Sequence, residues 1–217
     1  MFARAVDVYI LFYYFYILRG KVKNMDELLN AKFVEWTGGK DALQARRSIY
    51  EKVRDIPYAI IPELNDSRRY IEIVRYGKGS CMPKHILLGS MFERLGLSVL
   101  YAVFPFKWGD AEVDYPPHIK KLADELPMSH HLACRVDIDG NLVLIDATLD
   151  PALEKLGLPV NRTWDGFSDT MLPVDACGEE QLYHPLEVQF TQARTPDEQL
   201  TNFYNELNRW LEDIRRH

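Results

Sequence analysis

The sequence predicts an α+β protein that combines α-helices with antiparallel β-strands. Three patterns support this class: apolar residues at helical spacing near both ends of the chain, a β-branched and aromatic run over 98–107, and two alternating segments joined by Asp139 and Gly140. An Asp-Gly pair between alternating segments is a strong signal for a β-hairpin.

Two amphipathic helices are predicted near the start, over residues 25–36 and 40–54. In the second, Ile49 and Val53 continue an apolar spacing of three to four residues among many charged positions. Residues 70–76 are predicted to be a short extended stretch, because β-branched residues and tyrosines predominate there.

A third helix is predicted to begin at Cys81. Ser80 can cap this helix, and Pro83 occupies its first turn, where the missing N–H of proline has no cost. Gly96 ends the helix, because glycine readily adopts the left-handed conformation found after helices. A strand over 98–107 then follows.

The second half of the chain is predicted to contain a short helix over 118–126, the Asp139-Gly140 hairpin, a loop-rich stretch over 151–186 and a terminal helix. The terminal helix is predicted to start at Thr195, because Thr-Pro-Asp-Glu is a capping box with proline at the first helical position. Its apolar stripe is interpreted as core packing, with a partner-binding face as the alternative. The stripe consists of Leu200, Phe203, Leu207, Trp210 and Ile214.

Composition argues against a nucleic-acid-binding protein and against a disulfide-stabilised one. The 217-residue chain has a formal net charge of -6, and its basic residues are scattered among acidic ones. Cys81, Cys134 and Cys177 are an odd number of cysteines in a chain large enough to bury a core without crosslinks. We therefore expect a reducing, cytoplasmic location and no nucleic-acid partner.

The chain is divided into an apolar N-terminal segment over 1–24, a main domain over 25–190, and a C-terminal helix over 191–217 that packs on that domain. Val8–Leu18 is an unbroken apolar run, but it is shorter than the roughly 20 residues of a membrane span. We interpret it as a buried or interfacial segment that could contact a membrane or a partner. A signal or anchor is one alternative, and a native start at Met25 is another.

Cys81 is the first candidate for a catalytic nucleophile. The reactive form of cysteine is the thiolate, and the amino end of a helix lowers the thiol pKa through unpaired N–H groups and the helix dipole. Gly77 and Gly79 permit a tight turn that leaves the sulfur accessible. The alternative is that Cys81 is a small buried apolar residue without reactivity.

The predicted hairpin brings a histidine and an aspartate together. Pairing across its two-residue turn places Asp146 opposite Ala133, with His131 two residues away on the same face. These side chains are then close enough for the hydrogen bond that orients the imidazole. If this face packs on the start of the Cys81 helix, His131 can accept the thiol proton and later protonate a leaving group.

Two stretches of the chain resemble the transglutaminase-like superfamily, which has the papain-like fold. GKGSCMPKHILLGSMFERLGLSVLYAV is similar to the family's glycine-preceded cysteine helix and following strand, and HLACRVDIDGNLVLIDATLD to its histidine strand, turn and aspartate strand. PVNRTWDGFSDT is similar to an extension in an uncharacterised prokaryotic branch. The resemblance covers about residues 45–150. It implies an α+β fold in which a cysteine helix packs on an antiparallel sheet, with Cys81 as nucleophile, His131 as base and Asp146 as orienting acid.

The resemblance implies an enzyme that hydrolyses an amide or peptide bond, or transfers its acyl group, on a peptide or protein substrate. A non-catalytic protein-binding module with the same fold is the alternative. No cofactor is expected, because the sequence contains no compact acidic loop of the calcium-binding kind. No glutamine closely precedes Cys81, so an oxyanion hole would combine the Cys81 N–H with a second donor, for which Tyr76 and Trp108 are candidates.

Other histidines and cysteines have competing interpretations. His130 and Cys134 have the opposite strand parity to His131, so we expect a hydrogen-bonded strand histidine and a core cysteine.

His85 lies one helical turn after Cys81 and faces the same way, so it could tune the thiolate. It could instead begin a metal site with Cys81, to which Cys177 and His184 would have to contribute.

Overall fold

The computed structural model describes residues 24–188 and 195–217, which form helices around an antiparallel sheet. The apolar run Val8–Leu18 lies outside the described residues. The helices are 24–37 (α1), Ala42–Arg54 (α2), Ile73–Tyr76 (α3), Cys81–Arg94 (α4), Pro117–Asp124 (α5), Pro185–Val188 (α6) and Glu198–Arg216 (α7). The strands are Val99–Phe106 (β1), Ser129–Ile138 (β2), Asn141–Ile145 (β3) and Gln181–Tyr183 (β4). Short 3-10 helices cover Pro62–Leu64, Tyr70–Glu72, Trp108–Asp110 and Pro151–Leu156.

The sheet has the strand order β3-β2-β1-β4, and its neighbouring strands are antiparallel. Asp139 and Gly140 connect β2 to β3 with φ values of 54° and 85°, and Ile138 pairs with Asn141. Positive φ at both central residues matches the right-handed twist of the flanking strands, as in a type I′ turn. The predicted hairpin and the mixed α+β class are therefore confirmed.

Helix α4 packs its apolar face on the sheet and forms the main core. Leu87, Leu88 and Phe92 are completely buried against strand residues that include Tyr101 and Val136. This packing fixes the amino end of α4 beside β2, since a close-packed core leaves little freedom for the helix to slide or rotate.

Residues 70–76 are helical, so the predicted extended stretch is wrong. A 3-10 turn over Tyr70–Glu72 leads directly into α3, which ends at Gly77 with a left-handed φ of 74°. Arg69 forms an ion pair with Glu72 one turn later, and Ile71 and Ile73 are buried. The glycine stop and the ion pair support a helical turn, whereas β-branched composition alone favoured a strand.

Helix α7 begins later than predicted, because Asp197 rather than Thr195 is its N-cap. The Asp197 side chain accepts a hydrogen bond from the Leu200 N–H at 2.8 Å. Phe203 and Leu207 are buried in a second core that also contains residues of α5. The prediction that the stripe serves core packing is confirmed.

Two polar side chains of α7, Asn208 and Arg215, attach the helix to the segment that precedes Cys81, and Arg215 also bonds Asp150. Asn208 accepts from the Ile60 N–H at 2.9 Å and donates to the Ile60 carbonyl at 2.8 Å. Arg215 donates to the Asp150 carboxylate and to the Tyr58 carbonyl, both at 2.7 Å.

Among the helices of the described residues, none combines the length and apolar character needed to cross a bilayer.

Candidate active site

Cys81 is the first residue of α4, as the sequence predicts. Ser80 precedes it as the N-cap with extended backbone. Gly79 pairs with the chain at Pro57 and Ala59 through hydrogen bonds of 3.0 and 3.2 Å. A Cβ atom at Gly79 would lie 2.9 Å from Ile73 Cγ2, so the close approach of these segments requires glycine. The backbone just before α4 is therefore fixed in position next to the residue that carries the thiol.

The hairpin places His131 and Asp146 in direct contact. His131 lies in β2, Asp146 directly follows β3, and His131 Nε2 lies 2.5 Å from Asp146 Oδ2. The two residues are 3% and 2% exposed, so the hydrogen bond is screened from water. The Thr148 N–H donates to Asp146 Oδ1 at 2.9 Å and fixes the carboxylate. The carboxylate thereby holds the imidazole in one orientation.

Cys81 and His131 line the same cavity, and each shifts the pKa of the other. Because Asp146 engages Nε2, Nδ1 is the ring nitrogen left to face the sulfur. Burial would raise the pKa of Cys81, but the hydrogen bond and charge of His131 and the Leu132 N–H outweigh it and lower the pKa. Burial would likewise lower the pKa of His131, yet Asp146 and Cys81 raise it to about 10. These opposite shifts favour a thiolate–imidazolium pair.

His85 is a neutral imidazole that connects the start of α4 to the segment after Asp146. Its Nδ1 lies 2.9 Å from the Cys81 carbonyl oxygen, and its Nε2 accepts from the Ala147 N–H at 3.0 Å. Complete burial lowers the pKa of His85 to about 4, although Asp146 acts in the opposite direction. Both ring nitrogens are occupied, so the alternative in which His85 begins a metal site with Cys81 has no free ligand there. Across the described ranges, no three His, Cys, Asp or Glu residues are placed to hold a metal ion.

The other cysteines and His130 lie apart from the contact between His131 and Asp146. Cys134 is buried and its thiol donates to the His85 carbonyl at 3.3 Å, which confirms the core interpretation. Cys177 is exposed, with its sulfur 3.5 Å from the Pro105 carbonyl. His130 is exposed and lines the mouth of a cavity rather than facing Asp146.

A cavity of about 370 Å³ opens at Cys81 and His131. Trp108 lines it, with its ring against Phe106 at a centroid distance of 5.0 Å. Tyr76 does not line it and is 62% exposed, so the prediction that Tyr76 is a candidate oxyanion donor is wrong. Its short helix directs the side chain to solvent before the chain turns back at Gly77.

Asn65 is a candidate functional residue that the sequence did not reveal. Its side chain lines the cavity with Ser80 and Cys81, and the Ser80 hydroxyl donates to Asn65 Oδ1 at 2.5 Å. This bond orients the amide and leaves the Nδ2 group available as a donor. Asn65 lies in a loop directly after a 3-10 helix. Its position relative to Cys81 follows no helix or strand periodicity, so the sequence gives no sign that the two residues meet.

Lys84 is a second candidate functional residue that the sequence did not reveal, and it is fully buried beneath the site. Its Nζ donates to the carbonyls of Arg54, Ile56 and Thr148 at 3.0, 2.8 and 2.6 Å. Burial lowers the pKa of Lys84 to about 7, against the opposing effect of Asp150. The three hydrogen bonds join the end of α2 to the segment that follows Asp146, so Lys84 has a positioning role.

No protein-family model matches this chain, and neither a curated protein nor a solved structure matches it. The class of protein that the site defines is therefore inferred from the geometry of Cys81, His131 and Asp146.

Proposed function

We propose that the protein is a cysteine-dependent acyl-transfer enzyme, an amide or peptide-bond hydrolase or an acyl transferase. The observation that carries this proposal is that His131 contacts Asp146 and lines one cavity together with Cys81, the first residue of a helix. A thiol, a base and an orienting carboxylate in this order are the requirements of nucleophilic acyl transfer.

A transglutaminase-like member of the papain-like fold is the class that fits this arrangement. In support, the nucleophile begins a helix that packs on an antiparallel sheet, with the histidine in β2 and the aspartate directly after β3. The order of the three residues along the chain also agrees with the resemblance in sequence.

In the first half of the reaction, the Cys81 thiolate attacks the substrate carbonyl carbon. A carbon–sulfur bond forms, and the carbonyl π electrons move to the oxygen. When this intermediate collapses, the bond to the leaving amine breaks, and the His131 imidazolium gives that amine its proton. The product is a thioester on Cys81 and a neutral His131.

In the second half, water or an amine attacks the thioester. His131 accepts the proton of the attacking group, the carbon–sulfur bond breaks, and Cys81 leaves as a thiolate beside the imidazolium. Asp146 keeps the imidazole oriented in both halves and stabilises its positive charge, without itself becoming protonated.

The oxyanion formed in each half needs preorganised donors. The backbone N–H of Cys81 is one, because the first N–H groups of a helix have no acceptor within it. The Asn65 Nδ2 group is the second in this proposal, since the amide is anchored by Ser80 on the wall that also exposes Cys81.

The experiment that tests the function is acyl trapping with p-nitrophenyl butyrate. We expect the native protein to release a burst of about one equivalent of nitrophenolate and to carry a butyryl group on the Cys81 peptide. Cys81→Ala should show neither, whereas Cys177→Ala, which removes an exposed thiol, should behave like the native protein.

Equal burst and labelling in the native and Cys81→Ala proteins would contradict the proposal. Absence of any butyryl adduct on folded native protein would also contradict it and would favour a non-catalytic binding module.

A further inference from the structure

Apart from the Cys81–His131 pair, the walls of the cavity at Cys81 lack charged side chains. Among the described residues that line it, none is Asp, Glu, Lys or Arg, although these residues make up 27% of the chain. Aromatic rings form much of the wall: the rings of Tyr115 and Trp210 have centroids 5.6 Å apart, and Phe106 and Trp108 form a second pair in the lining. A charged group placed here would lose its hydration without gaining an ionic partner.

The cavity has a closed end and an open end. Leu149, Leu153 and Leu207 line it and are at most 8% exposed, so they form a floor. Met128 is 55% exposed and His130 is exposed, and these residues mark the mouth beside His131. The leaving group departs on the side of the residue that protonates it, so the acyl group occupies the closed end.

The size of the cavity limits the acyl group. A cavity of about 150 Å³ holds benzene. The volume here is about 370 Å³, which corresponds to roughly a dozen non-hydrogen atoms when some of the space is left unfilled.

We propose that the acyl group transferred to Cys81 is uncharged and apolar, an aliphatic or aromatic chain of up to roughly a dozen non-hydrogen atoms. This inference rests on the proposed acyl-transfer function and adds the substrate class. It implies that an acyl donor with a carboxylate or ammonium group at the end of its chain is rejected.

Helix α7 supplies one wall of this site. Leu200, Tyr204 and Trp210 line the cavity from α7. The bonds of Asn208 to Ile60 and of Arg215 to the Tyr58 carbonyl hold the helix at the segment before Cys81. The stripe of α7 therefore determines specificity as well as packing.

The test measures kcat/KM of the full chain for p-nitrophenyl esters from acetyl to hexadecanoyl, after subtraction of the rate with Cys81→Ala. We expect an increase of about fourfold for each added methylene up to roughly the octanoyl or decanoyl ester, followed by a fall. The succinyl ester, which ends in a carboxylate, should react at least about tenfold more slowly than the butyryl ester. A flat series, or a succinyl ester as fast as the butyryl ester, would overturn the inference.

A variant on α7 tests where the chain is bound. Leu200→Lys should lower the ratio of octanoyl to acetyl kcat/KM at least about tenfold, because it places a cation in the apolar wall. Leu186→Lys, at a residue that is 59% exposed and does not line the cavity, should leave the ratio unchanged. Equal ratios in both variants would contradict the assigned location.

Binding to the Cys81→Ala protein separates this inference from the proposed function. We expect calorimetry to detect octanamide but not suberamate, the amide of equal length that ends in a carboxylate. Octanamide binding without acylation of native Cys81 by any ester would reject the function and retain the apolar site. Acylation of Cys81 without chain-length preference, together with equal binding of both amides, would retain the function and reject the substrate class.

Discussion

Replacing His131 with glutamine is expected to lower the rate of Cys81 acylation by about 10⁴-fold, the upper range for loss of a general acid–base group. The change removes the group that transfers the proton and also the cation that lowers the Cys81 pKa. The measurement is the burst rate with p-nitrophenyl butyrate under single-turnover conditions, with circular dichroism to verify that the variant is folded.

An exposed histidine away from the cavity provides a matched control. His118→Gln makes the same chemical change at a residue that neither contacts Asp146 nor lines the cavity, and should reduce the rate less than about threefold. If both folded variants lost activity to the same extent, His131 would not be the catalytic base.

Replacing Asn65 with alanine is expected to lower kcat for ester turnover by about 10²- to 10³-fold, as for loss of one oxyanion donor. The amide is anchored to Ser80 beside Cys81, so its removal leaves the backbone N–H of Cys81 to stabilise the oxyanion alone. Asn205→Ala, at an exposed position of α7, should keep the native kcat.

The reaction of Cys81 with iodoacetamide distinguishes an oxyanion donor from a structural residue. Alkylation passes through no oxyanion, so Asn65→Ala should retain the native alkylation rate at Cys81 while its turnover falls. An equal fall in alkylation and turnover would show that Asn65 acts through the thiol or through folding and would contradict the assigned role.

Local signals made the positions of Cys81, His131 and Asp146 predictable. Ser80 occupies the N-cap position before α4, although its hydroxyl bonds Asn65 instead of the helix, and the two-residue Asp-Gly turn defines the register of β2 and β3. A hairpin of fixed register determines which side chains share a face, so the contact of His131 with Asp146 follows without knowledge of the rest of the fold.

Residues that reach the site through long-range packing were not predictable. Asn65 and Lys84 acquire their partners when the core of α4 closes, and Lys84 bonds carbonyls as distant in sequence as that of Thr148. The stripe of α7 was recognisable, but its place beside Cys81 depends on contacts such as that of Asn208 with Ile60. Sequence spacing contains no information on these pairings.

The central claim, that Cys81 forms a thiolate–imidazolium pair with His131, is tested most directly by the pH dependence of Cys81 alkylation by iodoacetamide. We expect the midpoint for Cys81 in the native protein to lie below the ordinary thiol pKa, because the lowered pKa preserves the thiolate as the pH falls. In His131→Gln the midpoint should rise. At pH 7 Cys81 should react faster than the exposed Cys177, and Cys134, whose pKa burial raises, should react slowest. A Cys81 midpoint equal to that of the unfolded chain, and unchanged in His131→Gln, would contradict the account.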